Sequence, residues 1–302
     1  MATATPEIIH HMAALDGIAF PPNSLEAIRT SLNVGAACIE VDITALADGD
    51  YLLVHEAMLE AETTGRGAVS ACTANEACTL RIRHHDAATD CHVPLLSDIV
   101  SLFQQHGGTT RLQLDFKNMI PFAGDEPLQR LIQIIEPLGP RVIVSSGADW
   151  QLRQLREIAP WLVLGLDIHF YLGWRADSED YNGEGYPRTQ GEYGYWDDHP
   201  IASRKIWHPA NYLKNRCGFL MGLVPNVSTF YISHHFLAQS LADGFNWAEE
   251  LHRHNIKLDA WTMDVTDAAA LAHLPLLVQA GVDYITTNTP LALRQHLNNL
   301  ST

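Results

Sequence analysis

Apolar and polar residues alternate in the same way along two separated stretches of the chain. In Ile39-Glu40-Val41-Asp42-Ile43 the three apolar side chains fall on one face of a strand, and both carboxylates fall on the other. From Arg111 to Lys117, Leu112, Leu114 and Phe116 share one face opposite Gln113, Asp115 and Lys117. Asp48-Gly49-Asp50 has turn chemistry and Tyr51 to Val54 is a second β-rich run, which predicts a hairpin that sets His55 roughly beside Asp42. Elsewhere the periodicity predicts strands over Glu7–His11, Arg141–Ser146, Leu162–Leu166, Thr229–Ser233, Lys257–Met263 and Val282–Thr287. Helices are predicted from Asn23 or Ser24 to Leu32, and over Ser97–Gln105, Glu126–Glu136, Trp150–Ile158, Phe236–His254, Ala268–Gln279 and Leu291–Leu300.

Leaving the hairpin return aside, strands begin near residues 7, 37, 111, 141, 162, 229, 257 and 282 and alternate with helices. That order predicts an α/β fold, a (β/α)8 TIM barrel rather than an open doubly wound sheet, as one domain over residues 1–302. A β-hairpin excursion follows strand 2. Residues 169–217 break the rhythm: they are rich in Gly, Tyr, Trp and Asp, with little periodicity. This long aromatic-rich insertion follows strand 5, and it is expected to cap the mouth of the barrel and select the alcohol group of a substrate.

In such a barrel the apolar face of each strand packs on the helices. Glu40, Asp42, Asp115 and Lys117 then point inward, near the strand C-terminal ends. Charges do not persist there unpaired, because burying a lone charge is too costly. A metal bound by three carboxylates, with Lys117 left to meet an anion, accounts for the set better than a salt-bridge cluster that merely fills the mouth. His11 ends the first strand close to them; His10 is the alternative, since a one-residue slip exchanges the faces. His84-His85, His234-His235, His252 and His254 read as surface pairs.

Composition narrows the class. With 302 residues, 47% of them hydrophobic, the chain can bury a large core, and no run of 18 apolar residues predicts a membrane span. The start, Met-Ala-Thr-Ala-Thr-Pro-Glu, lacks the basic and apolar regions of a signal peptide. Five cysteines, an odd number without a Cys-x-x-Cys pair, suggest reduced thiols, a cytoplasmic location and no cysteine zinc site. The formal charge of −16 argues against nucleic acid and against anionic membrane surfaces as partners. An anionic substrate would need a bound cation and local Lys or Arg to reverse that field.

The motifs, taken in order, resemble the glycerophosphodiester phosphodiesterase family of phospholipase-C-like barrels, over nearly the whole chain except 169–217. Ile39-Glu40-Val41-Asp42 is similar to the family's metal motif, and Asp48 through Glu56 to its Asp-Gly-x-x-x-Val-x-His-Asp. His11-Met12-Ala13, Pro21-Pro22-Asn23-Ser24, Thr63 to Gly67, Asp115-Phe116-Lys117, Ser145-Ser146, Trp261-Thr262 and Gly281 through Pro290 resemble further family blocks. The chain departs from the pattern at Met12 (arginine in the family), Pro22 (glutamate), Asp115 (glutamate) and Asn288 (a frequent aspartate). His-Met and Asp-x-Lys are instead similar to sphingomyelinase D-type phospholipases.

The resemblance implies that Glu40, Asp42 and Asp115 hold Mg²⁺ or Ca²⁺. It implies that Lys117 binds phosphate, that His11 and His55 act as general acid and base, and that Trp261 lines the substrate pocket. The implied activity is metal-dependent hydrolysis of a small-molecule glycerophosphodiester to glycerol phosphate and an alcohol. Two alternatives stand beside it: a D-type phospholipase acting on lysophospholipid or sphingolipid diesters, and a non-catalytic binding protein on the same barrel.

Overall fold

The structure is a computed structural model that describes residues 5–17, 20–174 and 189–300. Eight strands run parallel: β1 (Glu7–His10), β2 (Cys38–Ala45), β3 (Arg111–Phe116), β4 (Val142–Ser146), β5 (Val163–Asp167), β6 (Thr229–Ser233), β7 (Lys257–Trp261) and β8 (Tyr284–Thr287). Each pairs with the next, and β8 pairs with β1, so the sheet closes into the expected (β/α)8 barrel. The hairpin is also formed, with Tyr51 and Leu52 antiparallel to Ala45 and Thr44.

The alternation has the anticipated consequence. Ile39, Val41, Ile43, Leu112, Leu114 and Phe116 are buried outside the sheet, against a shell that includes α1 (Leu25–Asn33), α2 (Leu96–His106) and α3 (Glu126–Ile135). Ser24 caps α1 by accepting from the Ala27 N–H, which leaves the adjacent Asn23 side chain free for another task. A separate, small apolar cluster fills the barrel itself: Ile9, Cys38, Ile143 and Tyr231, with Val163, Trp261 and Tyr284 against it. Gly165 makes room for this filling, because a Cβ there would run into the Tyr231 ring. At the N-terminal end, Arg111 pairs with Glu7 and stacks 5.2 Å over Tyr284, closing the interior from below.

Two predicted elements differ. The helix expected over Phe236–His254 is two helices, α5 (His234–Ala242) and α6 (Trp247–His252), separated where Gly244 takes φ 86°. The insertion is less irregular than its sequence: from Pro209 to Met221 it is helical (α4), the barrel helix that follows β5 after the excursion. Its buried face is Tyr212, Leu213, Arg216, Cys217 and Leu220. An arginine at the centre of that face hides the helical period from a hydrophobicity pattern.

Three tyrosines of the insertion also go elsewhere than expected. Tyr193 stacks on Tyr212 at 4.1 Å and 6°, and Tyr195 is fully buried with its hydroxyl donating to Asp243 at 2.8 Å. They build a core on the flank of the barrel rather than a cap over its mouth. Residues 175–188, which include Tyr181 and Tyr186, lie outside the described residues. Among the described residues no helix is long and apolar enough to cross a membrane.

This flank rests on a buried ion pair. Arg216 Nε donates to Asp197 Oδ2 at 2.8 Å and Arg216 Nη2 to Oδ1 at 3.2 Å, while the Tyr212 hydroxyl donates to Oδ2 at 2.7 Å. Both charged residues are 2% exposed, so removing one leaves the other charged and buried. Asp197→Ala should therefore lower unfolding stability by roughly 3–5 kcal/mol. Glu249→Ala, which removes an exposed partner of Arg253, should cost at most about 1 kcal/mol. Urea midpoints of the two variants measured side by side check the difference.

Candidate active site

β2 and β3 are adjacent strands in a register that sets Asp42 opposite Asp115 and Glu40 opposite Gln113. Inward-facing residues of the two strands therefore meet, and one carboxylate oxygen from each of Glu40, Asp42 and Asp115 lies within 4.8 Å of the others. Lys117 extends β3 by one ladder bond, its N–H donating to the Ile43 carbonyl at 3.0 Å. Its ammonium lies 2.6 Å from Asp115 Oδ2 and 3.1 Å from Asp42 Oδ1. Neutral donors hold the rest: the Met12 N–H reaches Glu40 Oε2 at 2.8 Å, and Asn23 Nδ2 reaches Asp42 Oδ2 at 3.0 Å. Met12 and Asn23 adopt left-handed backbone, φ 51° and 57°, to make these contacts.

The balance of charge is negative. Burial, reinforced by the carboxylates of Asp42 and Asp115, drives the Glu40 carboxyl well above its usual range. For Asp42 burial works the same way. The Lys117 ammonium, His55, His11 and the Asn23 hydrogen bond outweigh it and hold that carboxyl low. Against burial, Asp115 and Asp42 raise the Lys117 ammonium, so it stays charged. Glu40 Oε1 is buried with no hydrogen-bond partner. Three clustered carboxylates, one lysine and an orphaned oxygen form a donor set suited to a hard divalent cation.

The two histidine positions resolve differently. His10 is 1% exposed and its Nδ1 lies 3.1 Å from Ser31 Oγ, which itself donates to the Ala13 carbonyl. Burial, with the nearby Arg294 charge, lowers its pKa to about 4, so it is a neutral packing residue. His11 turns to the other side. Its Nε2 lies 4.0 Å from Glu40 Oε2, and its Nδ1 lies 2.9 Å from Asn288 Oδ1. Asn288 is fixed by Asp264, which accepts from its backbone N–H at 2.7 Å and its Nδ2 at 2.8 Å. The amide orientation leaves only an acceptor facing His11, so Nδ1 carries the proton and Nε2 is left for chemistry. Sequence reading did not give Asn288, Asp264 or Asn23 these tasks. Asn23 was visible as a capping candidate and as part of the Pro21-Pro22-Asn23-Ser24 block, without a partner.

His55 is half exposed, with Nδ1 3.0 Å from Glu56 Oε1, and its loop is pinned by Glu62, which accepts from the N–H groups of His55 and Glu56. Both His11 and His55 line one cavity of about 1020 Å³, together with Glu40, Asp115, Lys117 and Trp261. Trp261 meets the His169 ring edge-on at 5.7 Å. Of the described insertion residues, His169 and Phe170 reach this cavity; the tyrosines of the flank core do not. Residues 119–123 supply a wall the sequence did not single out, with Ile120 79% exposed at its lip.

A (β/α)8 barrel whose mouth gathers three carboxylates, a lysine and two imidazoles holds the groups that metal-assisted and acid–base chemistry use. The chain belongs to the glycerophosphoryl diester phosphodiesterase family, whose model matches residues 17–182, more than half of its length. It is 26% identical over 150 residues to a glycerophosphodiester phosphodiesterase of Caldanaerobacter subterraneus subsp. tengcongensis, covering 48% of this chain and 60% of that protein. It is also 26% identical over 275 residues to glycerophosphodiester phosphodiesterase 1 of Bos taurus, covering 88% of this chain and 73% of that one. The fold is similar to that of an Oleispira antarctica phosphodiesterase solved with the product sn-glycerol-3-phosphate. The TM-score is 0.62 at 16% identity, covering 98% of this chain and 97% of that chain.

Below the charged mouth the interior is neutral. Asp259 on β7 is fully buried; Thr286 Oγ1 donates to its Oδ1 at 2.9 Å, and Oδ2 has no partner. Burial raises its pKa to about 8, against the smaller effect of the Thr286 bond and with Asp167 adding to the rise. The folded chain thus keeps this proton at a pH where the unfolded chain, titrating near 4, has lost it. The group's contribution is fully present below about pH 4 and is lost as pH rises to about 8, at about 1.4 kcal/mol per pH unit. Asp259→Asn cannot titrate. Its stability relative to the parent should therefore climb steadily from pH 4 to 8 in urea unfolding, and a difference independent of pH would mean that Asp259 is ionised in the fold.

Proposed function

We propose that this chain is a metal-dependent glycerophosphodiester phosphodiesterase. The observation that carries the reading is the convergence of Glu40, Asp42 and Asp115, two of them with a buried oxygen that lacks a hydrogen-bond partner, beside the cavity that both His11 and His55 line. Glu40, Asp42 and Asp115 would hold Mg²⁺ or Ca²⁺. Bound there, the cation would polarise the phosphoryl oxygens and offset their charge.

The chain's own residues supply the remaining work. The Lys117 ammonium, kept charged by Asp115 and Asp42, attracts the diester phosphate into a protein of formal charge −16. His11, with its proton fixed on Nδ1 by Asn288, presents a basic Nε2. His55 lines the same cavity from the segment that follows the hairpin. One imidazole removes a proton from the nucleophile, water or a neighbouring hydroxyl of the substrate whose cyclic product water then opens, as the new P–O bond forms. The other protonates the departing alcohol oxygen as the old P–O bond breaks. Trp261 offers an apolar wall with an indole N–H that has no hydrogen-bond partner. The product of the Oleispira relative, sn-glycerol-3-phosphate, supports glycerol phosphate as the product class.

A second reading concerns the other side of the diester, the part that keeps the phosphate, and has its own observation. The cavity wall includes Met58, Ala61, Met119, Ile120, Pro121 and Phe122, an apolar lip suited to hydrocarbon. It favours lysophospholipid-like diesters over small hydrophilic ones. Both readings are tested on one panel of glycerophosphodiesters and lysophospholipids; the headgroup alcohol leaves in either case, so glycerol phosphate against an acylated glycerol phosphate is the discriminating product.

His11→Ala and His55→Ala should each lower kcat by about 10²- to 10⁴-fold without changing the urea midpoint. His10→Ala should instead lower the midpoint, since it removes the buried contact with Ser31. EDTA should abolish turnover, and Mg²⁺ or Ca²⁺ should restore it. Full turnover after exhaustive chelation, or in both the His11 and His55 variants, would reject the mechanism.

A further inference from the structure

His234 and His235, which the sequence reads as surface residues, are packed against a third imidazole. His234, the first residue of α5, is 3% exposed, and its Nδ1 lies 2.9 Å from Nδ1 of His273 on α7 (Ala268–Ala280). The His235 ring lies 4.0 Å from that of His234 and 5.5 Å from that of His273. One ring nitrogen from each lies within 4.8 Å of the other two. None of the three lines the central cavity.

The donor chemistry points one way. Three imidazoles in contact repel one another when protonated, so the cluster is stable as neutral rings with lone pairs available. Neutral nitrogen donors suit Zn²⁺ and its neighbours, and they suit Mg²⁺ and Ca²⁺ poorly. In a zinc site the ligand nitrogens stand about 2.0–2.1 Å from the ion, hence roughly 3.3 Å apart, and the His234–His273 pair already stands at 2.9 Å.

The outer partner is present as well. Asp267 Oδ2 lies 3.7 Å from His234 Nε2, and Asp267 is itself anchored as the cap of α7, its Oδ1 accepting from the Ala269 N–H at 2.8 Å. A carboxylate behind one ring nitrogen keeps the proton there and turns the other nitrogen toward a metal.

We propose that His234, His235 and His273 form a zinc-class transition-metal site on the rim of the barrel, with Asp267 as its outer-sphere carboxylate, separate from the carboxylate centre. The ligands come from two helices that pack against each other, α5 and α7. The loop between β7 and α7 carries Asp264, the group that fixes Asn288 behind His11. An ion held at the rim therefore clips together the framework that positions a cavity histidine, and does not itself face the substrate.

The test uses the full chain after chelation, titrated with Co²⁺ for visible absorption and with Zn²⁺ in competition with a chromogenic chelator. One equivalent should bind with the spectrum of nitrogen coordination, and Asp115→Asn, which disables the carboxylate centre, should retain it. His235→Ala and His273→Ala should weaken Zn²⁺ binding at least about tenfold, and Asp267→Asn by about 10- to 100-fold. Zn²⁺ should raise Tm in the parent and in Asp115→Asn, and not when Asp115→Asn is combined with His235→Ala or His273→Ala. Equal affinity in the histidine variants, or binding lost in Asp115→Asn alone, would overturn the site. Should the histidine variants fail to fold, carbethoxylation of the parent decides: Zn²⁺ protection of these imidazoles supports the proposal and absence of protection refutes it.

Discussion

The structure depends on an unequal balance of charge inside a closed sheet. Glu40, Asp42 and Asp115 face one ammonium, Lys117, at a depth where an unpaired carboxylate is too costly to keep. Everything around them answers that imbalance. The Met12 N–H and the Asn23 amide turn toward the carboxylates from left-handed backbone, a conformation that a loop adopts only when its contacts hold it there. The same imbalance explains why the charges stand at the C-terminal ends of β2 and β3, where the cavity opens, and not deeper.

Below that level the interior carries little charge, and it does so by suppressing ionisation. Asp259 retains its proton, and burial raises the Cys38 thiol to about 12. Tyr231 fills the centre, and Gly165 leaves it the room. The barrel thus separates into a charged mouth that can act on a ligand and a neutral plug that holds the strands. At the N-terminal end Arg111, Glu7 and Tyr284 close it. The flank of the insertion solves its own problem by a different route, satisfying the buried Asp197 with Arg216 and Tyr212.

The alternation along Ile39–Ile43 and Arg111–Lys117 is a property of the extended backbone, and each residue's face follows from its place in the strand. For that reason the eight strands, the apolar outer face and the inward set Glu40, Asp42, Asp115 and Lys117 were legible in the sequence. The hairpin was legible too, since its turn chemistry lies within a few residues of the strands it joins. The choice between His10 and His11 was not, because it depends on a 3₁₀ turn at the end of β1 and on the left-handed backbone at Met12. Nor was the destination of Tyr193, Tyr195 and Tyr212, since aromatic side chains serve a buried flank as well as a ligand.

What the sequence determined by itself was periodicity: where strands and helices lie, which residues share a face, and hence the chemistry the barrel turns inward. What only the tertiary structure decided was partnership. His11 and Asn288 are 277 positions apart and His234 and His273 are 39 apart, yet each pair meets at 2.9 Å. No local preference encodes such contacts. They follow from closure of the sheet between β8 and β1 in one case, and in the other from the packing of two helices side by side on the same barrel.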